Sequence, residues 1–533
     1  MTDGSTPGAP RSTGLILPPP ANPSRRRFLV LGGSAALAAA VASMGCTGGG
    51  GGSGSNAQVT EPPRPTPASL PGAEAPPPND AMFDIVVKGG RVLDPDSGFD
   101  AVADVGVMGD RIASISLDPL QGATTIDAAG KVVSPGFVDL LSYEPNPYGV
   151  WFKIGDGVTT NLGMHGIKTP TDAGEFFTYY DSSANRPPVH YGGSMSDQWY
   201  RDGELGIRGA ASASQLSQLR DALDQQMDEG FIGVAIDPEY APWIGFDEYI
   251  ALAQVAQAAG MPLFTHIRYS SPDPPEASSL DAIDEVIRVA EQTGVSLHVD
   301  HIPSMATHVM PDAMARIEDA RGRGADITAC FYPYTFWGTY LASARFNGDW
   351  QGRFRISYGD LQLAGTSERL TANSFRTYQA QNKLVVAYAI PQEDVNAAAS
   401  ADWTMVGSDS IPEPANNNHP RGAGCFARLV GPYVRDLGVL SLTDAVAKAT
   451  IVPTRRVEAQ VPAMQRKGRL QIGADADITV FDPATVADAS SVEEPAVMST
   501  GIEHVLVMGK VAKTPAGVDK NVKAGIAVKA QPA

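Results

Sequence analysis

A series of short apolar runs alternates with helical patterns through the middle of this chain, and it constrains the fold more than any other feature. Residues 216–229 and 246–259, for example, carry apolar side chains at helical spacing between two such runs. Strands that alternate with helices predict a parallel sheet, and eight of them close into a (β/α)8 TIM-type barrel of the α/β class. We predict the strands at 133–140, 158–164, 188–194, 231–236, 263–266, 296–302, 327–334 and 404–410.

Strand-like sequence also lies at both ends of the folded region. The segments that begin near Phe83 and after Arg469 contain short apolar runs broken by Gly-Gly, Gly-Asp or Gly-Lys pairs. Because these ends bracket the α/β middle, we predict one small β-sandwich from residues 82–132 and 456–533, around a barrel at 133–455. The long, irregular segment at about 342–400 is predicted to be an insertion over the active face.

Residues 1–81 are predicted to lie outside the fold. A twin-arginine motif at 24–29 leads into an apolar run that ends near Cys46, and residues 46–81 are rich in Gly, Ser and Pro. We expect a signal peptide at 1–45, lipidation at Cys46, and a disordered tether at 46–81. Ordinary signal cleavage after Ala42 stays open. The protein is then exported by the twin-arginine route and anchored at the cell surface or the periplasmic side of the cytoplasmic membrane.

Charge and cysteine content exclude some classes of protein. The net charge of −19 argues against nucleic-acid binding and against a basic membrane-binding patch, so the lipid anchor is the only membrane contact we expect. Besides Cys46 the chain has Cys330 and Cys425, which is too few cysteines for a disulfide-built fold.

Two histidines lie at the ends of neighbouring predicted strands. His266 ends one apolar run, and His301 lies near the end of the next. In a parallel barrel the carboxyl ends of the strands carry the catalytic groups, and two imidazoles there suit a divalent metal. Packing histidines would give the same pattern, so these residues alone leave both interpretations open.

Several motifs occur in a fixed order along residues 84–528. They are VVSPGFVD at 132–139, DGVTT at 156–160, FYPYT at 331–335, VGSDS at 406–410, HPR at 419–421 and GRLQIGADADITVFD at 468–482. This set resembles the amidohydrolase superfamily, and in particular its D-aminoacylase branch, the N-acyl-D-amino-acid deacylases. The resemblance implies the barrel, the two-ended sandwich and a metal-dependent hydrolase of C–N bonds other than peptide bonds.

The chain departs from this family at two metal positions. Leu141 and Tyr143 stand where the family carries His-x-His, and neither side chain ligates a divalent metal well. His165 stands at the position of a cysteine ligand. The resemblance therefore implies one divalent ion, with Zn²⁺ as the expected metal, held by His165, His266 and His301.

The resemblance also implies roles for four other residues. Asp409 matches the catalytic aspartate, which acts as general base and then general acid in hydrolysis by a metal-activated water. Its alternative role is a turn cap. Arg421 matches the contact to a substrate carboxylate, although a surface ion pair stays open. Arg268 and Tyr334 are predicted to line the pocket.

The expected substrate is a small molecule with a carboxylate, an N-acyl-D-amino acid or a related compound. Two alternatives remain from the sequence. The loss of His-x-His favours a catalytically inactive barrel lipoprotein that serves as a surface binding protein. Within enzymes, the alternative is a cyclic-amide hydrolase of the dihydroorotase or hydantoinase type.

Overall fold

The structure is a computed structural model that describes residues 65–271 and 277–532. Cys46 and the twin-arginine motif lie outside the described residues. The strands in the described part are β1 (Met82–Asp94), β2 (Phe99–Met108), β3 (Arg111–Ser116), β4 (Gln121–Asp127), β5 (Val132–Pro135), β6 (Phe137–Asp139), β7 (Val158–Ile167), β8 (His190–Ser196), β9 (Val234–Ile236), β10 (Leu263–Thr265), β11 (Leu297–Val299), β12 (Ile327–Phe331), β13 (Trp337–Tyr340), β14 (Leu361–Leu363), β15 (Leu384–Ala387), β16 (Thr404–Val406), β17 (Ile478–Phe481), β18 (Ile502–Val507), β19 (Lys510–Thr514) and β20 (Gly517–Val518).

The helices begin and end at recognisable signals. A capping box of Ser278 and Asp281 begins one of them, and Gly294, at φ 72°, ends it. No helix of the described residues is long and apolar enough to cross a membrane. The helices are α1 (Val150–Gly155), α2 (Ala173–Asp181), α3 (Asp197–Gly203), α4 (Ala213–Asp228), α5 (Phe246–Ala258), α6 (Ser279–Thr293), α7 (Ile302–Met305), α8 (Met310–Gly322), α9 (Trp350–Phe354), α10 (Ala372–Ala380), α11 (Gln392–Ser400), α12 (Arg421–Val430), α13 (Pro432–Arg435), α14 (Leu442–Ala449) and α15 (Ile451–Val457).

The middle of the chain forms the predicted barrel. Within the described residues, eight strands pair in the order β16-β12-β11-β10-β9-β8-β7-β6, and every pair is parallel. Just beyond β16 and β6, the amide of Asp409 donates to the carbonyl of Leu141 at 2.7 Å, so the barrel is nearly closed. All residues of β7 and β9 are buried, as expected for strands covered on both faces. The predicted fold class is confirmed.

The first predicted strand divides between two sheets. Residues 132–135 form β5, which pairs antiparallel with β17 and lies outside the barrel, while β6 begins the barrel after Gly136. Within the described residues, β1–β5 and β17–β20 form one nine-stranded sheet from both chain ends. This sheet has its own apolar core, which includes Val87, Val105 and Ile478.

Two predicted segments differ from the structure. Leu70 donates its amide to Ile472 O at 2.9 Å and packs against the terminal core, so this end of the predicted tether is ordered. Residues 342–400 were predicted to be irregular, yet they contain β14 and β15, and β15 pairs with both β13 and β14 in a three-stranded antiparallel sheet. The strands are three or four residues long, too short for a period-two pattern to stand out.

Gly233 precedes β9 at a close approach between strands. Its φ is 74°, and an added Cβ would lie 1.9 Å from Pro262 O. We expect Gly233→Ala to lower the free energy of unfolding by more than the roughly 1–2 kcal/mol of left-handed strain alone, because a clash with backbone is added. Gly294→Ala is the matched control, since φ is 72° there and nothing lies within 4 Å. Urea unfolding followed by circular dichroism compares the two, and equal midpoints would contradict the prediction.

Candidate active site

Four of the residues singled out from the sequence meet at the carboxyl end of the barrel. His165 lies on β7, His266 directly follows β10, His301 follows β11, and Asp409 follows β16. All four are buried. The ring centres of His165 and His266 are 6.0 Å apart, those of His165 and His301 are 5.9 Å apart, and those of His266 and His301 are 4.9 Å apart. Imidazoles that bind one zinc through nitrogens at about 2.1 Å have ring centres roughly 5 Å apart, so the spacing suits a metal.

The ligand atoms group somewhat differently from the prediction. One ligand atom each from His165, His301 and Asp409 lies within 4.8 Å of the others. His165 Nε2 is 4.0 Å from Asp409 Oδ1, and His301 Nε2 is 3.6 Å from Oδ2. His266 is not in this group, because its Nε2 lies 3.5 Å from Glu239 Oε2. The rings of the three predicted histidines therefore lie together. The group of neighbouring ligand atoms, however, contains Asp409 in place of His266.

Both oxygens of Asp409 have partners. Tyr143 donates its hydroxyl to Oδ1 at 3.0 Å, and Arg421 Nη2 lies 2.7 Å from Oδ2. The guanidinium carbon of Arg421 also lies 4.5 Å from the ring centre of Tyr332. Tyr143 thus stands where a histidine ligand was expected but contacts the carboxylate that faces the two histidines.

The backbone is strained at two of these residues. His301 has φ 29° and Asp409 has φ 48°, and residues other than glycine rarely adopt positive φ angles. Such conformations persist where surrounding contacts over-determine them, and they cluster at functional sites. His301 is held by the bond of its amide to Cys330 Sγ at 3.1 Å.

Two predicted pocket residues contact side chains outside the group of His165, His301 and Asp409. Arg268 binds Glu285 through Nε at 2.9 Å and through Nη2 at 3.0 Å. Tyr334 donates to Asp488 Oδ2 at 3.3 Å, and its ring packs against His419. Arg421 is therefore the one of the three predicted substrate-binding residues that contacts the His165, His301 and Asp409 group in the described chain.

A buried cluster under Asp409 was not predicted. Lys153 Nζ donates to Asp139 Oδ2 at 2.6 Å and to Ser408 Oγ at 2.7 Å. Ser408 in turn donates its amide and its hydroxyl to Asp139. This cluster fixes the residue directly before Asp409. The signal in the sequence is a lysine within the otherwise apolar turn VWFKIG, which becomes α1.

The insertion between β12 and β16 also reaches the site. Arg345 Nη1 lies 3.3 Å from Glu239 Oε2, the same oxygen that faces His266. The guanidinium of Arg345 packs over Trp337, 4.3 Å from a ring centre. Glu239 follows β9 and Arg345 lies far along the chain, so no local pattern could have joined them.

The protonation of two of the three histidines suits metal binding. Burial lowers the pKa of His266, and burial with the neighbouring cations holds the pKa of His301 well below its usual range. Both rings are then neutral near pH 7, the form that ligates metals. Burial also acts on His165, but the negative charge of Asp237 outweighs it and raises the pKa to about 9. His301 Nδ1 lies 2.9 Å from Ser304 Oγ, which leaves Nε2 to face Asp409. A ligating histidine is usually held in this way through its other nitrogen.

The sequence and the fold both match known proteins. Residues 206–512 match the amidohydrolase family. An N-acyl-D-glutamate deacylase from Alcaligenes xylosoxydans xylosoxydans is 31% identical over 473 residues, which cover 80% of this chain and 93% of the relative.

Two solved structures share the architecture over 84% of this chain and all of theirs, each with a TM-score of 0.73. One is the N-acyl-D-glutamate deacylase from Bordetella bronchiseptica, complexed with zinc and a phosphonate inhibitor that mimics the tetrahedral intermediate, at 26% identity. The other, at 25% identity, is a D-aminoacylase studied for one-metal activation and second-metal attenuation of its binuclear centre. These matches and the ligand atoms at the barrel mouth confirm the resemblance of the motifs. The chain belongs to the D-aminoacylase branch of the amidohydrolase superfamily and is a metal-dependent hydrolase of amide C–N bonds.

Proposed function

We propose that this protein is an exported hydrolase that cleaves the amide bond of an N-acyl-D-amino acid or a related compound. One observation carries the proposal: a buried carboxylate, Asp409, faces the nitrogens of His165 and His301 and is held by Arg421 at the mouth of the barrel. The similarity to the deacylases supports the substrate class.

The residues fit one catalytic divalent ion, for which Zn²⁺ is our expectation. His165 and His301, with His266 beside them, would hold it next to Asp409. When bound, such an ion supplies a Lewis acid that polarises the scissile carbonyl and makes water more acidic. The D-aminoacylase described for one-metal activation supports a single catalytic ion here, where Leu141 and Tyr143 offer no histidine ligands.

Asp409 would act on protons at the reacting centre. Its carboxylate would accept a proton from the attacking water and return it to the leaving nitrogen as the C–N bond breaks. Tyr143 and Arg421 orient the two oxygens for this transfer. As water attacks, negative charge would develop on the former carbonyl oxygen, so donors near that oxygen would lower the barrier.

Arg421 would also recognise the substrate carboxylate. Its Nε is buried and has no hydrogen-bond partner among the described residues, so a donor remains beside the Asp409 contact. A guanidinium offers several donors in a planar fork, which suits a carboxylate. Arg268 and Tyr334 are bonded to Glu285 and Asp488, so we assign the substrate carboxylate to Arg421.

The place of action rests on the N-terminal sequence. We propose export by the twin-arginine route and a lipid anchor at Cys46, on the cell surface or the periplasmic side of the cytoplasmic membrane. The charge of −19 supports a small-molecule substrate over nucleic acid.

One observation favours a second candidate. Tyr143 occupies a ligand position and binds Asp409, which would also fit a barrel that has lost catalysis and serves as a surface binding protein. A cyclic-amide hydrolase remains the alternative reaction.

The test uses the purified full chain loaded with Zn²⁺. N-acetyl-D-glutamate, N-acetyl-D-leucine, their L-enantiomers and dihydroorotate are compared, and release of free amine or ring opening is measured. We expect hydrolysis of a D-substrate in preference to its L-enantiomer. Turnover of dihydroorotate alone would establish the cyclic-amide alternative. Substrate binding without turnover by the metal-loaded protein would establish the binding protein.

A further inference from the structure

Two more carboxylates lie close to His165. Asp237 directly follows β9 and Asp300 directly follows β11, and both are buried. One ligand atom each from His165, Asp237 and Asp300 lies within 4.8 Å of the others. His165 Nδ1 is 3.4 Å from Asp237 Oδ2, while Nε2 is the nitrogen that faces Asp409. The two groups therefore share the imidazole of His165, whose two nitrogens face Asp237 and Asp409 respectively.

The polar atoms of this second group lack partners. Both oxygens of Asp300, Oδ1 of Asp237 and Nδ1 of His165 are buried without a hydrogen-bond partner in the described part of the chain. Asp300 has no exposed surface at all. A buried carboxylate that has neither a hydrogen bond nor a counter-charge is costly, so something must compensate these oxygens.

Further negative charge lies close by. Both oxygens of Asp197, at the start of α3, are also buried without a partner among the described residues. Burial, together with the charges of Glu248 and Asp237, raises the pKa of Asp197 to about 7. Around Asp237, the buried carboxylates therefore outnumber the cations that bind them.

A proton on His165 would not resolve this arrangement. An imidazolium would pair with Asp237, but it would leave both oxygens of Asp300 without a hydrogen bond. A divalent cation between the three side chains would satisfy His165 Nδ1, Asp237 and Asp300 together. One imidazole nitrogen and two carboxylate oxygens suit borderline or hard ions such as Zn²⁺ and Mn²⁺.

We propose that His165, Asp237 and Asp300 form a second divalent-cation site, separate from the catalytic ion beside Asp409. With both ions bound, His165 would bridge them as an imidazolate, and its ring proton would be released to solvent. Leu141 and Tyr143 remove ligands on one side of the barrel mouth, and the ends of β9 and β11 supply carboxylates on another. An ion there would hold the His165 ring in place and tie the ends of β9 and β11 together.

The test measures bound metal in the full chain. Wild type, Asp300→Asn and the control Asp104→Asn are loaded with Zn²⁺ or Mn²⁺ alone and dialysed, and metal content is read by mass spectrometry. Asp104 is a buried carboxylate of the terminal sheet that accepts bonds from the amides of Gly89 and Leu120. We expect Asp300→Asn to bind about one ion per chain fewer than wild type, because it loses one metal site. Asp104→Asn should bind as much metal as wild type.

A stability measurement keeps the test independent of folding defects. Asp300→Asn removes a buried carboxyl group that has no bonded partner among the described residues, so without metal its melting temperature should equal or exceed that of wild type, and the rise on adding metal should shrink. Asp237→Asn should likewise bind less metal than wild type, and this measurement decides the matter if Asp300→Asn does not fold. Equal metal content and an equal metal-induced rise in wild type and variant would overturn the proposal. Asp409→Asn should keep this ion while losing amide hydrolysis. A failure of the proposed hydrolytic function can therefore be told apart from a failure of the second metal site.

Discussion

Asp409→Asn is expected to lower kcat/KM for the N-acyl-D-amino acid substrate by about 10²–10⁴-fold, the usual contribution of a general acid–base group. The amide of asparagine cannot accept a proton from water or return one to the leaving nitrogen. It keeps the size of the carboxylate but not its charge, so the ion pair with the buried Arg421 is lost. Bound metal should remain, because His165 and His301 keep their nitrogens. Steady-state kinetics and metal content measured on the same preparation check both parts.

The matched control is Asp394→Asn. Asp394 is also a buried aspartate, but it lies on α11 and accepts the amide of His308 at 3.0 Å, away from the ligand group. Its variant should keep wild-type kcat/KM. If Asp409→Asn hydrolysed the substrate at the rate of this control, Asp409 would have no part in proton transfer.

Lys153→Met is expected to lower the free energy of unfolding by about 3–5 kcal/mol, the typical result of removing one partner of a buried ion pair. Lys153 and Asp139 are 1% and 0% exposed, and their charged atoms are 2.6 Å apart. Methionine fills similar volume but leaves the Asp139 carboxylate without its cation. Urea unfolding at pH 7, fitted to a two-state transition, measures the difference.

An exposed ion pair supplies the control for this second prediction. Arg208 and Asp202 are 82% and 54% exposed, so Arg208→Met should change the free energy of unfolding by at most about 1 kcal/mol. Replacing both buried partners, as Lys153→Met with Asp139→Leu, should recover part of the loss, because no buried charge remains. A change in Lys153→Met as small as that in Arg208→Met would show that the cluster does not stabilise the barrel.

The strands and their order could be predicted from the sequence. Short apolar runs such as the one that ends in His266 are visible because strands buried on both faces exclude polar side chains. The motifs around Asp139, Asp409 and Gly468 occur in family order, and the family match confirms the fold they implied. The short strands of the insertion could not be predicted, because three or four residues show no period.

The partners within the site could not be predicted. Tyr143 and Asp409 are 266 residues apart, and Lys153 and Ser408 are 255 residues apart. Contacts at that separation depend on how the barrel brings its first and last strands together. The ligand set of His165, His266 and His301 was implied by the resemblance to the family, and strand ends place these side chains at the same rim but do not decide where each nitrogen points.

The sequence by itself determined the barrel, the two-ended sheet and the residues at the strand ends, because burial and local backbone preferences act over a few neighbouring positions. Only the tertiary structure decided that Asp409 joins His165 and His301, that Tyr143 binds this carboxylate, and that Asp237 faces the other nitrogen of His165 with Asp300 nearby. The physical reason is that directional contacts between charged groups require distances of a few ångströms, and those distances are set when distant strands close one barrel.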